Sequence, residues 1–545
     1  MAKNRNSKRK TNTRADASET APVKSRTDGV VVRMFCHGLG DCFLLSIPDG
    51  DNRQFHILID LGIAKGSPDE DAKMADIVEQ IHVLTGGTVD LLVITHEHWD
   101  HVSGFAQAHG AIEKNKLKFK HLWLAWTENP RDKLARELRQ QYGKAKLALA
   151  QAVAAVKLSG NSTAMAAVRS GMDGILAFYG PGDEFGPAVR SGAKATKTRL
   201  GTEDAMNLAK DLVKRPGATG CTFLKPGEVC RLAAATPDSL AGQIKVRVLG
   251  PPRDAKAIRK LDSKTTTYPK QEHLHAVVPW SWTMAVNRMA TDQISNRFES
   301  DLEMPFDPAH RIPLKQAAES SFFKDYYFDG VKPRRMNAAV YGAAVSQRRI
   351  DGDWLARGAE QLALWINSYT NNVSLVLAFE LPSSKKILLF VGDAQVGNWL
   401  SWHDLKFDDE AGENAKPLTA TDLLARTVLY KVGHHGSHNA TLRQKGLELM
   451  THDELVAMLP VDYEQAQRLR YGEMPLKSLI KAINETACKR LLRLDTPWDG
   501  NTPPGDWPEG MIKPRIDSKS KRNGKAAVNF IEYQVVDRYS GIKSE

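Results

Sequence analysis

Three histidines and an aspartate fall within six positions of this chain. The segment THEHWDHVSGF (95–105) carries His96, His98, Asp100 and His101 directly after the apolar run LLVIT (91–95). Neutral imidazole and carboxylate are the donors that borderline divalent ions accept. One short loop with this spacing can serve two adjacent ions, His96 and His98 facing one, Asp100 and His101 the other. The chain has sixteen histidines in 545 residues, so this density is poorly explained by a surface loop that happens to hold them. The chemistry such a site offers is activation of bound water to hydroxide near neutral pH.

The surrounding pattern must hold that loop. VVRMFCHGLGDCFLLSIPDG (31–50) reads as strand, glycine turn and strand, with a second turn at Asp49-Gly50. FHILIDLG (55–62) is another apolar run, DEDAKMADIVEQIHVL (69–84) has helical spacing, and VDLLVITH (89–96) is again β-rich. Strands mixed with a helix, and polar clusters at strand ends, predict a layered α/β architecture. From about 131 to 215 the chain is rich in Ala, Lys and Gln, and Leu134, Leu138 and Tyr142 lie on one helical face. CTFL (221–224) and QIKVRVLGPP (243–252) are strand-like, and 253–365 is mixed, with Trp280, Trp282 and Trp365. β-character resumes in VSLVLAFEL (373–381), KKILLFVGD (385–393), RTVLYKVGHHGS (426–437) and AAVNFIEYQVV (526–536). Residues 496–524, with their Pro, Gly, Asp and Lys, read as a loop.

Composition narrows the class. Hydrophobic residues make up 42% and charged residues 26%, which excludes a wholly disordered or fibrous chain. The longest apolar runs are far shorter than the roughly 18 residues of a membrane helix, so no membrane is expected as a partner. No apolar segment follows the early basic residues, so no signal peptide is expected. Five cysteines without a CxxC pair point to a reducing, cytoplasmic setting and away from a thiolate zinc site. The net charge is +11, but residues 1–27 contribute eight basic and two acidic side chains, more than half of the excess. This tail, to about residue 28, reads as a disordered basic leader that can grip phosphates. There is no GxSxG elbow and no Walker A sequence.

HxHxDH after an apolar strand resembles the metal-binding signature of the metallo-β-lactamase fold. That resemblance implies a four-layer αββα sandwich with the metals at one edge of its two sheets. It also implies roles for residues elsewhere. Asp60 in LIDLG matches an acid that orders the metal loop, and Asp393 in LLFVGDAQ matches the bridging carboxylate. The last ligand matches His434 or His435 in YKVGHHGS. His434 is favoured, because it follows the strand after a single glycine, and His435 then contacts substrate or transfers a proton. Ser437 is placed beside them. The usual histidine four residues before an SLVL strand is missing: Thr370 stands there, followed by Asn371 and Asn372. Asn371 is the amide left near a weaker, more open first site that tolerates manganese as well as zinc.

HGLGDCFLLSIPDG, VRVLGPP, NNVSLVL and VGHHGS together resemble the metallo-β-lactamase domain of the DNA-internalisation competence protein and its soluble relatives. The implied organisation is a core in three pieces, 29–128, 218–253 and 371–545, interrupted by a helical insertion at 129–217 and a lid-like insertion at 254–370. The implied activity is metal-dependent hydrolysis, with a phosphodiesterase or nuclease expected first. A hydrolase of a small ester, thioester or phosphorylated metabolite is the enzyme alternative. A partner-binding component of a bacterial defence-type complex is the non-enzyme one. Asp100 and His435 are the expected catalytic residues, one or two divalent ions (Zn or Mn) the cofactor, and nucleic acid, or a protein held by the insertions, the partner. KNKLKFKH (114–121), KATKTRL (194–200), Tyr326, Tyr327 and the three tryptophans are candidate contacts for it, though solvated faces and local packing account for them at least as well.

Overall fold

Alternation of apolar side chains along two sets of strands builds a double-layered core. The structure is a computed structural model and describes residues 28–50, 52–158, 200–260, 266–268, 312, 314–317, 319–327, 351–408, 416–469, 473–495, 502–517, 520–522, 525–527 and 529–538. The basic leader, Trp280, Trp282 and residues 194–199 lie outside these, as does the side chain of Tyr327.

The first sheet uses β1 (Gly29–Phe35), β2 (Phe43–Pro48), β3 (Gln54–Ile59), β4 (Thr88–Val93), β5 (Lys118–Ala125) and β6 (Gly220–Leu224). The second uses β7 (Val229–Arg231), β8 (Lys245–Gly250), β9 (Val376–Glu380), β10 (Ile387–Phe390), β11 (Thr427–Lys431), β12 (Val456–Leu459) and β13 (Leu491–Arg493). Two late strands, β14 (Arg515–Asp517) and β15 (Phe530–Val536), return to the first sheet. The orders are β14-β15-β1-β2-β3-β4-β5-β6 and β13-β12-β11-β10-β9-β8-β7. Each sheet is antiparallel at one end and parallel over its last four strands, β3 to β6 and β10 to β13.

Along β1, Val30, Val32 and Met34 face the second sheet, as do Phe55, Ile57 and Ile59 of β3; they meet Val246, Val248, Leu377, Phe379, Leu388 and Phe390. The opposite face of the first sheet packs under α1 (Glu70–Thr85), through Met74, Ile77, Val78 and Ile81, and α2 (Trp99–Gln107), through Val102 and Phe105. The outer face of the second sheet is covered by Trp399, Trp402, Leu423, Leu479 and Ile483. Helix, sheet, sheet, helix is therefore the order of layers, the αββα sandwich expected from sequence.

The segments outside this sandwich carry two long helices, α3 (Lys133–Leu158) and, later in the chain, α5 (Asp351–Asn372). Leu138 and Tyr142 are buried on α3, and Leu134 is half-buried. Between them α4 (Thr202–Leu212) buries Ala205, Met206, Ala209 and Leu212 in the same cluster as Val102 and Phe105, so this part of 129–217 packs as outer layer. α5 runs through the expected boundary at 370, and β9 begins only at Val376, after a turn at Val373. The expected loop at 496–524 also needs correction: Arg515–Asp517 pairs antiparallel with Phe530–Glu532, and Ser520–Arg522 pairs with Lys525–Ala527. Ladder hydrogen bonds to a strong neighbouring strand override the weak β-propensity of these polar residues.

Candidate metal centre

The candidate residues sit just beyond the carboxyl ends of parallel strands: Asp60 after β3, His96 to His101 after β4, Asp393 after β10, His434 and His435 after β11. This is where open α/β sheets gather ligand-binding loops. Close backbone approach locks the loops together. A Cβ on Gly62 would lie 2.3 Å from the Asp100 carbonyl carbon and the His101 nitrogen, so only glycine lets the LIDLG turn pass that peptide. Gly392 has φ +54°, and a Cβ there would meet Thr95 Cβ at 2.9 Å.

Asp60 ties the metal loop to β3. It accepts from the Thr95 backbone N–H at 2.8 Å and from Thr95 Oγ1 at 2.7 Å. Its Oδ2 also lies 2.8 Å from His101 Nδ1. With Nδ1 so engaged, His101 turns Nε2 towards Asp393 Oδ2, 3.3 Å away. His96 Nε2 and His98 Nδ1 converge to 3.0 Å. All four carboxylate and imidazole side chains of the loop are buried.

Two donor groups result. His96, His98 and Asp393 form one; Asp100, His101, Asp393 and His435 form the other, and within each the donor atoms lie within 4.8 Å of one another. Asp393 belongs to both. The sequence reading favours His434 over His435 as ligand; the structure places His435 in the four-residue group. His435 Nδ1 donates to the Pro460 carbonyl at 2.8 Å, which leaves Nε2 facing Asp100 Oδ2 at 2.8 Å. His434 Nε2 is 4.0 Å from Asp393 Oδ2, and its Nδ1 lies 3.1 Å from Ser437 Oγ and 3.2 Å from Gln395 Nε2. Ser437 Oγ donates in turn to Asn439 Oδ1. Both histidines have left-handed backbone, φ 44° and 49°, a conformation that non-glycine residues hold only when the surroundings enforce it.

The protonation pattern has a clear cause. Burial pushes His98 down to about 3 and His434 to about 4, and drives His96 well below the ordinary imidazole range. Burial acts the same way on His101, but the carboxylates of Asp393, Asp41, Asp100 and Asp60 outweigh it and hold the ring well above that range. His435 is raised too, its burial being outweighed by the hydrogen bond to Asp100 and the charge of Asp393. The carboxylates thus favour the protonated form of these two rings against their burial.

The donor set fits divalent ions. Asp100 Oδ1 and Asp393 Oδ2 are fully buried and make no hydrogen bond among the described residues, an arrangement that is costly unless something else meets those oxygens. Asn371, also fully buried, leaves both side-chain amide atoms without a hydrogen bond among the described residues. Thr370, where the family histidine is missing, is bonded instead to Tyr142 through their hydroxyls, 2.6 Å apart.

Two site residues were given no role by the sequence reading, although Asp41 lies within the HGLGD segment quoted there. Lys431, the last residue of β11, is buried with its Nζ against Asp41 Oδ2, 2.9 Å from the Gly392 carbonyl and 3.5 Å from Asp393 Oδ1. Asp41, in the HGLGD turn, also donates its backbone N–H to the Asp100 carbonyl at 3.0 Å. The signals were the acid after GLG and the lysine before VGHHGS. Of the expected partner contacts, Lys120 pairs with Asp90 at 2.6 Å, Trp365 is half-buried beside Tyr369, and Tyr326 is exposed. Lys146 on α3 reaches Glu97, between the first two histidines, at 3.4 Å.

The family model of the metallo-beta-lactamase superfamily matches residues 38–177, the stretch that contains Asp41, Asp60 and the HxHxDH loop. That stretch is thus similar to the metallo-β-lactamase superfamily, whose members are typically metal-dependent hydrolases. No curated protein and no solved structure matches the chain. Among the described residues no helix is long and apolar enough to cross a membrane.

Proposed function

We propose that this protein is a metal-dependent phosphodiesterase, with nucleic acid as its first-choice substrate. The observation that carries the reading is the pair of buried donor groups sharing Asp393, which suits two divalent ions a few ångströms apart. Ions held there, zinc or manganese, would lower the pKa of bound water towards neutrality and supply hydroxide for attack on phosphorus.

The chain's own residues have separable tasks. His96, His98 and Asp393 hold one ion; Asp100, His101, Asp393 and His435 hold the other. Asp60 keeps His101 in the tautomer that offers Nε2. Asp100 Oδ1, which has no hydrogen bond among the described residues, is the atom that can orient the attacking oxygen. His434, with its Nδ1 beside Ser437 and Gln395 and its ring kept neutral by burial, takes the part of a substrate contact through Nε2. The three-donor group, with one carboxylate and two imidazoles, is the weaker one and tolerates manganese as well as zinc. The resemblance to the DNA-internalisation domain and the basic leader support a polyanionic substrate.

The test is cleavage of single- and double-stranded DNA and RNA with added Mn2+ or Zn2+, wild type beside Asp100→Ala. Cleavage by the wild type alone supports the reading. Hydrolysis of uncharged esters in place of every nucleic acid would replace it with a small-ester hydrolase. No turnover of either class would favour a binding role.

A further inference from the structure

A third group of acids and histidine, Asp41, Asp60 and His101, lies against the two donor groups and has the make-up of one more cation site. Most of its places are taken, although Asp41 Oδ1 is buried without a hydrogen bond among the described residues. Asp60 is satisfied by Thr95 and His101, and Asp41 Oδ2 is in contact with the Lys431 ammonium. Both partners of that ion pair are about 2% exposed. A charge pair removed from water this completely costs more in desolvation than its attraction commonly returns, so its position calls for another reason.

The reason lies in what else Lys431 touches. Asp393 has two carboxylate oxygens. Oδ1 accepts from the His434 backbone N–H at 3.0 Å and faces Lys431 Nζ at 3.5 Å; Oδ2 makes no hydrogen bond among the described residues and faces the histidines. The ammonium also donates to the Gly392 carbonyl, fixing the peptide that precedes Asp393. From these contacts we infer that Lys431, anchored by Asp41, is a positioning residue for the shared carboxylate: it holds Oδ1 away from the ions and makes Asp393 present Oδ2 alone to both donor groups. It is a built-in cation in the place a third ion would take. This inference rests on the metal-centre reading proposed above.

The experiment removes the pair without leaving a buried charge. Chelator-stripped full-length protein and the variant Asp41→Asn/Lys431→Met are titrated with Mn2+ by calorimetry, and the melting temperature of each metal-free protein is recorded. We expect the double variant to melt close to wild type and to bind Mn2+ roughly 10- to 100-fold more weakly, the usual effect of losing a group that orients a ligand. Equal affinity in the two proteins would overturn the inference and leave Asp41–Lys431 a structural ion pair. A wild type that binds no ion would overturn the metal-centre reading itself, a different result. Should the double variant not fold, Lys431→Gln carries the same comparison. Wild-type affinity in that folded variant contradicts the positioning role, and weakened affinity supports it.

Discussion

His101 Nδ1 and Asp60 Oδ2 lie 2.8 Å apart although the two residues come from different strand ends, and both side chains are buried. Asp60 itself sits at φ 56°, so the backbone is held in the left-handed region to deliver that oxygen. Removing it frees the ring and breaks the tie to Thr95. Asp60→Asn is predicted to lower metal affinity roughly 10- to 100-fold, measured by calorimetry on metal-stripped protein. Unchanged affinity would mean that Asp60 only shapes the turn.

The two adjacent histidines should separate cleanly. His435→Ala is predicted to reduce the number of bound ions, read by elemental analysis of purified protein. His434→Ala should keep the ion count and lose about 100-fold or more in turnover, the scale of a lost hydrogen-bond contact to the transition state. The reverse assignment would return His434 to the ligand set.

Metal uptake should release protons and strengthen as pH rises. The surrounding carboxylates raise His101 and His435 above the ordinary imidazole value, so in the metal-free protein both rings keep a proton to higher pH than a free imidazole does. An ion must displace those protons before it can bind. Lower pH therefore weakens binding. Calorimetry in buffers of different ionisation enthalpy measures the protons released; zero release would contradict the assignment.

A separate pH effect comes from β3. Burial pushes His56 down to about 4 from 6.5. Between those values the unfolded chain binds a proton that the folded one refuses. Stability from this group is therefore complete above about pH 6.5 and is lost as pH falls towards 4. The scale is up to about 3 kcal/mol. Urea unfolding of wild type and His56→Gln across this range should show the variant with the shallower pH dependence.

In the second sheet, Arg247 on β8 and Glu380 on β9 form a buried pair with two nitrogen contacts to one oxygen, 2.9 and 3.0 Å. Glu380→Ala strands the guanidinium and should cost about 3–5 kcal/mol in urea unfolding. Arg247→Met/Glu380→Leu should recover most of that loss.

The αββα layering was legible through the resemblance carried by HxHxDH, GD and HHGS, motifs that fall directly after apolar runs long enough to read as strands. The match of residues 38–177 to the superfamily model and the layer order agree with it. Less visible were β12 and β13, four and three residues long, whose pairing depends on neighbours distant in sequence. Which of His434 and His435 faces Asp100 was also hidden. Counting from a strand assumes extended backbone, and two successive left-handed residues change which ring faces Asp100. Lys431 and Asp41 had no role assigned from sequence, because only the fold brings them together in the interior.

The most direct test strips the protein with a chelator and follows hydrolysis of a phosphodiester while Mn2+ or Zn2+ is returned, with Asp393→Ala alongside. The stripped wild type should be inactive, should regain activity as ions bind, and should leave Asp393→Ala silent at every concentration. Activity that survives chelation, or an Asp393→Ala protein as active as wild type, would contradict the claim that hydrolysis runs on ions held by the shared carboxylate.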